Sequence, residues 1–117
     1  MSLLLVGSFK NMRRVVNCHY ESYDVLIDRT TKWGNPFWLK KGATLEERLE
    51  CIAKYKKWIH TQSNLILAIK MGELRGKKVG CHCWPAPCHG DVLIEIDNYY
   101  AQMEELFDLD EILQENW

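Results

Sequence analysis

The chain has 117 residues, a length typical of one domain, and it contains no apolar run close to the roughly 20 residues that a membrane-spanning helix needs. Its hydrophobic content of 47% is enough to build a single core. The five cysteines are odd in number and mostly clustered, which argues against a secreted disulfide framework. We therefore expect reduced thiols, a cytoplasmic location and no membrane partner.

Charge is unevenly divided along the chain. All fifteen Lys and Arg residues lie between Lys10 and Lys78, together with seven acidic residues. From Val79 onward there are nine acidic residues and no Lys or Arg. This pattern predicts either a body that faces anions with an acidic tail, or two halves that neutralise each other in the fold.

The predicted elements begin with apolar and β-branched runs that are typical of short strands, at residues 2–8, 14–18 and 23–27. A glycine- and proline-containing loop, 28–42, follows. A helix then starts at Thr44, which has capping-box spacing to Glu47, and its predicted apolar face comprises Leu45, Leu49, Ile52 and Ile59.

The second half of the chain predicts a helix at 64–71, a strand at 77–81 and a helix from Asp91, with Asp108 interrupting it before a last acidic helix at 109–116. Strands on both sides of a helical middle indicate a small α/β domain. We expect a three- to four-stranded, partly mixed sheet packed with about four helices. The predicted organisation is an N-terminal extension or strand (1–14), a core domain (15–97) and an acidic C-terminal helical extension (98–117).

The loop after the third predicted strand concentrates residues that suit ligand binding. Arg29 and Lys32 can hold an anion, Trp33 offers a flat face for stacking, and Asn35 supplies both a donor and an acceptor. The alternative is an ordered loop whose aromatic residues fill the core while Asn35 satisfies the backbone. Loops dense in such residues tend to carry function, which favours the binding interpretation.

A second motif, C-H-C-W-P-A-P-C-H-G-D, joins the last predicted strand to a helix start. Helix N-termini favour negative charge, so Cys88 is a candidate nucleophile, with His89 and Asp91 as further catalytic or binding groups. We expect Cys88 to alkylate faster than Cys18 or Cys51. The same segment can also be interpreted as an anion-binding corner.

A zinc site is the third interpretation of this motif, because three thiols and an imidazole suffice for tetrahedral coordination. The ligands would be Cys81, Cys83, Cys88 and His89. The spacing is awkward, since adjacent residues at a helix start rarely bind the same ion. Burial as ordinary free cysteines is the remaining alternative for Cys81 and Cys83.

The acidic C-terminal segment, 106–117, carries an apolar stripe. We expect it to be helical and to dock on the basic part of the same domain. The alternative is an exposed helix that binds a protein partner.

Several of these segments together resemble domain-of-unknown-function family 4326, which occurs in phages and bacteria. The resemblance spans residues 15–96 and rests on the run from Asp24 to Arg29, on Lys32-Trp33-Gly34-Asn35-Pro36-Phe37, on Tyr55 with Trp58, on Cys81-x-Cys83, and on Pro87-Cys88-His89-Gly90-Asp91. Asp28 stands where the family usually has glycine. The resemblance implies a small α/β domain and no particular activity.

The leading functional hypothesis is a polar pocket between the two motifs that binds a small anionic or nucleotide-like ligand, with or without thiol chemistry at Cys88. Both motifs lie at the ends of predicted elements, where pockets form in α/β folds. The alternative is a zinc-stabilised module that binds protein or nucleic acid through its basic face. The sequence leaves open whether any reaction is catalysed.

Overall fold

The computed structural model describes residues 13–115, with side chains described through Leu106. Within these residues the protein has three strands and three helices: β1 (Val15–Asn17), β2 (Val25–Leu26), α1 (Leu45–Thr61), α2 (Ser63–Lys70), β3 (Val79–Cys81) and α3 (Gly90–Glu115). This confirms the predicted α/β class. The predicted strand at 2–8 lies outside the described residues.

The three strands form one parallel sheet in the order β1-β3-β2. Val79 of the central strand is in register with Val15 on one side and with Val25 on the other. The expectation of a partly mixed sheet is therefore wrong for the described strands. Because all three strands run the same way, their carboxyl ends lie at one edge of the sheet, and the chain segments that follow them meet there.

The start of α1 has the predicted capping box. The Glu47 backbone N–H donates to the Thr44 hydroxyl at 3.2 Å, and the Thr44 N–H donates to the Glu47 carboxylate at 3.0 Å. The predicted apolar face is only partly correct. Cys51, Tyr55 and Ile59 are the buried residues of α1, at a spacing of four, whereas the predicted core residues Leu45 and Leu49 are exposed.

Helix α3 is continuous from Gly90 to Glu115, so the predicted interruption at Asp108 is wrong. The segment after Gly90 contains no further glycine and no proline, and a single aspartate is tolerated inside a helix. The two helices predicted before and after Asp108 are therefore one helix, and the described residues contain three helices rather than about four. The docking expected for 106–117 concerns side chains that lie mostly outside the described residues.

A buried carboxylate joins α3 to the rest of the domain. Asp97 is fully buried, and its two oxygens accept from Arg14 at 2.9 Å and from Arg75 at 2.8 Å. Arg75 also bonds Glu104 at 2.6 Å. The basic first part and the acidic last part of the chain therefore neutralise each other at this contact, as one of the two charge interpretations predicts.

No helix in the described part of the chain is long and apolar enough to cross a bilayer.

Candidate ligand-binding site

A pocket of about 510 Å³ opens at the edge of the sheet where the parallel strands end. Three segments line it: residues 28–35 after β2, residues 39–52 at the start of α1, and residues 81–89 between β3 and α3. Two of these segments contain the two motifs that the sequence singles out. The structure thus brings Arg29 and Asn35 together with Cys88 and His89 in one concave site.

The lining of the pocket is rich in cationic groups. Arg29, Lys40, Lys41 and Arg48 all contribute to it, whereas Asp28 is the acidic residue among the lining side chains. Lys40 forms an ion pair with Glu47 at 3.0 Å. Among the described residues, Arg29, Lys41 and Arg48 form no salt bridge, although Arg29 donates to the Phe37 backbone oxygen at 2.8 Å. No carboxylate among the described residues therefore neutralises these three charges.

Three thiols lie on the β3–α3 side of the pocket. The sulfurs of Cys81 and Cys88 are 3.3 Å apart, and both residues are buried. Hydrogen bonding to Cys81, followed by burial, raises the pKa of the Cys83 thiol. Hydrogen bonding to Cys83 lowers the pKa of Cys81, but contact with Cys88 and burial outweigh it and the net shift is upward. Cys81 and Cys83 are therefore protonated at neutral pH.

Cys88 caps the start of α3. Its sulfur accepts a hydrogen bond from the Gly90 N–H at 3.3 Å, and its own N–H donates to the Asp91 carboxylate at 3.2 Å. The bond from the Cys88 N–H to the Asp91 side chain is one half of a capping box, whereas the thiol accepts from Gly90 instead of from Asp91. Asp91 is exposed and does not line the pocket. The contact that its carboxylate makes is with the backbone N–H of Cys88.

His89 links the start of α3 to β2. Its Nε2 lies 2.6 Å from the backbone oxygen of Ile27, which can only accept, so Nε2 carries a proton and donates it. Burial, reinforced by the Arg29 charge, lowers the pKa of His89, although the bond to Ile27 opposes this shift. The imidazole is therefore neutral at pH 7, and its Nδ1 is the acceptor atom.

The remaining predicted ligand-binding residues do not reach the pocket. Trp33 is 2% exposed and lies in the core, where its backbone oxygen accepts from the buried Tyr55 hydroxyl at 2.7 Å. Lys32 pairs with Glu73 at 2.6 Å and sits 5.0 Å from the Trp33 ring centre. The structure therefore buries the Trp33 residue in the core and places Lys32 outside the pocket lining, so neither joins Arg29 and Asn35 there.

Asn35 both lines the pocket and satisfies the backbone, the two roles that the sequence left open. Its Oδ1 accepts from the Phe37 N–H at 2.9 Å, and its amide group contacts the Cys51 sulfur at 3.4 Å. It is half-buried and lines the pocket. Gly34 lets the loop close, because a Cβ there would lie 2.6 Å from the backbone of both Asp28 and Arg29.

Sequence reasoning missed Lys40, Lys41 and Arg48. Lys40 and Lys41 form a cationic pair in the turn that leads into α1, and Arg48 comes one helical turn after the capping residue Thr44. A search for cations near predicted helix starts could have found them, since helix starts already favour anions.

Metal-ligating side chains gather at a different place from the one predicted. Among the described residues, the ligand atoms of Cys18, His19 and His82 lie within 4.8 Å of one another. The predicted zinc ligands Cys81, Cys83, Cys88 and His89 do not form such a group, and the Nε2 of His89 is already engaged by Ile27. Asp28 accepts a hydrogen bond from the His82 ring at 3.0 Å, and bonds from Thr30 and His82 lower the pKa of Asp28 to about 2.

Comparison with known proteins agrees with the resemblance that the motifs indicate. The family model described as "Domain of unknown function (DUF4326)" matches residues 11–99. The chain belongs to this family.

An uncharacterised 12.4 kDa protein in the nrdA-td intergenic region of Enterobacteria phage T4 is 40% identical to the chain over 100 residues, covering 79% of this chain and 83% of the phage protein. No solved structure matches the DUF4326 chain described here. The region matched by the family model includes both pocket-forming motifs, since each lies within residues 11–99.

Proposed function

We propose that this DUF4326 domain binds a small phosphate-bearing or nucleotide-like anion in the pocket at the carboxyl ends of its strands. The observation that carries the proposal is the convergence of Arg29, Lys40, Lys41 and Arg48 on one concave site. Carboxyl ends of parallel strands are where α/β domains bind ligands. A volume of about 510 Å³ lies within the roughly 300–1,000 Å³ that is usual for small-molecule sites.

The pocket combines charge with features that suit an organic ligand. Leu39, Ile52 and Pro87 contribute apolar surface, while Asn35 and His89 contribute polar atoms. A bare inorganic anion needs only the cations, whereas a nucleotide also uses apolar and hydrogen-bonding groups. The mixture favours a ligand with both a phosphate and an organic part.

Cys88 is the proposed nucleophile if the bound ligand reacts. Its sulfur lies at the start of α3, where backbone N–H groups favour negative charge, and the residue lines the pocket. A protein that only sequesters the ligand would use the same cations without this step. The five free cysteines support a reducing compartment such as the cytoplasm.

Isothermal titration calorimetry with a panel of nucleoside monophosphates and inorganic phosphate, at low ionic strength, tests the proposal. We expect at least one nucleotide to bind, and Arg48→Gln or Lys41→Gln to weaken it about tenfold or more, because each removes a charge-assisted contact. Lys32→Gln is the matched control, since it removes a cation that pairs with Glu73 outside the pocket.

Absence of binding across the panel would contradict the proposal. An equal loss of affinity in Lys32→Gln and Arg48→Gln would also contradict it, because it would indicate general electrostatic attraction rather than a site.

A further inference from the structure

Beside the pocket, the turn after β1 meets the segment after β3 in a cluster of metal-ligating side chains. The His19 Nε2 lies 2.7 Å from the His82 Nδ1, and the Cys18 sulfur lies 3.8 Å from each of the two His82 ring nitrogens. We propose that Cys18, His19 and His82 bind a transition-metal ion, most naturally zinc. Thiolate and imidazole together are the ligands that zinc prefers.

The three ligand atoms lie within 4.8 Å of one another, and two of the three distances are close to those that one ion needs. At bond lengths of about 2.0–2.3 Å, tetrahedral ligand atoms lie roughly 3.3–3.8 Å apart. The sulfur-to-Nδ1 distance is already 3.8 Å, and the two imidazole nitrogens need to separate by only about half an ångström. His19 and His82 are exposed and Cys18 is half-buried, so the side chains can adjust without disturbing the core.

The hydrogen bond between His82 and Asp28 is a second, independent indication of a metal site. Its Nε2 lies 3.0 Å from the Asp28 carboxylate, which can only accept, so Nε2 carries the proton and Nδ1 presents its lone pair to His19. Metal-binding histidines commonly donate their other ring N–H to a carboxylate, which fixes the ring and its tautomer. The His82–Asp28 pair has this arrangement before any metal binds.

The backbone holds the ligand-bearing segments in place. The Asn17 side chain accepts from the His19 N–H at 3.0 Å and donates to the Trp84 backbone oxygen at 3.0 Å. The Cys18 N–H donates to the Cys81 oxygen at 2.9 Å. One buried asparagine and the ladder between β1 and β3 therefore fix the two segments relative to each other, which reduces the ordering cost of binding an ion.

Three protein ligands leave a fourth position for water or a ligand, as in catalytic rather than purely structural zinc sites. His82 and Asp28 also line the pocket. The ion would therefore lie at the rim of the pocket and add positive charge there. This inference does not depend on the proposed function, because the cluster can bind metal whether or not the pocket binds an anion.

Titration with cobalt(II) alone, followed by absorption spectroscopy, tests the site. We expect one cobalt per chain and a thiolate-to-cobalt charge-transfer band that zinc displaces. Cys18→Ser should abolish the band, and His19→Ala should weaken binding by about tenfold or more. His60→Ala removes an exposed histidine on α1 that lies outside the cluster and the pocket lining, so this control should bind like the original protein.

Three results would overturn the proposal. The first is the absence of a charge-transfer band in the original protein, and the second is a band that persists in Cys18→Ser. The third is loss of the band in Cys83→Ser together with unchanged metal affinity in His19→Ala, which would assign the metal to the pocket thiols. Circular dichroism of each variant distinguishes loss of a ligand from loss of the fold.

Discussion

The Nε2 atom of His89 donates a hydrogen bond to the backbone oxygen of Ile27 at 2.6 Å, in the buried interior of the domain. This bond fastens the residue before α3 to the end of β2. The two motifs that the sequence singles out lie on either side of it, so it holds together two of the three walls of the pocket.

The burial of His89 should make the stability of the domain depend on pH. Burial lowers the pKa of folded His89 below its ordinary value of 6.5, so the unfolded chain takes up a proton at a pH where the folded chain does not. Stability is therefore present above that ordinary pKa and decreases as the pH falls through it. When the pH is lowered from about 8 to about 5, the free energy of unfolding should decrease less in His89→Gln than in the original protein.

Urea unfolding at the two pH values measures this difference. If His89→Gln loses as much stability on acidification as the original protein, the acid sensitivity comes from other groups and the account of His89 is wrong.

Tyr55 should stabilise the loop that carries Arg29. Its buried hydroxyl donates to the Trp33 oxygen at 2.7 Å, and its ring packs edge-on against His89 with ring centres 5.0 Å apart. Tyr55→Phe leaves a buried carbonyl without this donor and should cost about 1–3 kcal/mol of unfolding free energy. Tyr99→Phe, at an exposed position on α3, is the matched control and should change stability by less than about 0.5 kcal/mol. Similar costs for the two variants, measured by urea unfolding, would contradict the importance of this bond.

Asp97 should be the most sensitive ionic residue among those the structure describes. Removing its charge by Asp97→Asn leaves Arg14 and Arg75 without their buried partner, which should cost about 3 kcal/mol or more. Glu104→Gln removes the exposed partner of Arg75 and should cost less than about 1 kcal/mol. Thermal unfolding of the two variants measures the contrast. Equal melting temperatures would show that the buried pair contributes no more than a surface one.

Cys88 should react with an alkylating agent faster than Cys51. Both residues are buried, since 4% of the Cys88 surface and 8% of the Cys51 surface are exposed to solvent. Only Cys88 lies at a helix start. Cys18 is half-buried and easier to reach, so Cys51 is the better-matched control. A mass-mapped labelling time course measures the order. Labelling of Cys88 at the rate of Cys51 or more slowly would argue against thiol chemistry and leave anion binding unaffected.

Local sequence patterns predicted most of the elements of this fold. Apolar and β-branched runs indicated β1 and β2, a strand was predicted at 77–81 where β3 lies, and the Thr44–Glu47 pair marked the start of α1 where the structure has it. The patterns could not show that the sheet is parallel, because strand direction depends on long-range packing. They also could not show that α3 continues past Asp108, since one aspartate carries only a small helix penalty.

The candidate site was predictable only in part. Arg29, Asn35, Cys88 and His89 were identified by their chemistry, and the structure places all four in the pocket lining. Trp33 was predicted to stack on a ligand because the sequence alone does not distinguish an exposed tryptophan from a buried one. Its side chain is buried in a core cluster whose members, such as Tyr55 22 positions away, come from distant parts of the chain. The Cys18–His19–His82 cluster was likewise invisible, because its parts are brought together only by the pairing of β1 with β3.

The most direct test of the central claim maps where an anionic ligand binds. Amide chemical shifts of isotope-labelled protein, titrated with the tightest nucleotide of the calorimetric panel, report the contact residues. The account predicts that the largest saturable changes occur at residues 28–30, 40–48 and 81–89, and that Arg48→Gln reduces them whereas Lys32→Gln does not. Changes centred on α2 or the distal part of α3, or no saturable change at all, would contradict the claim.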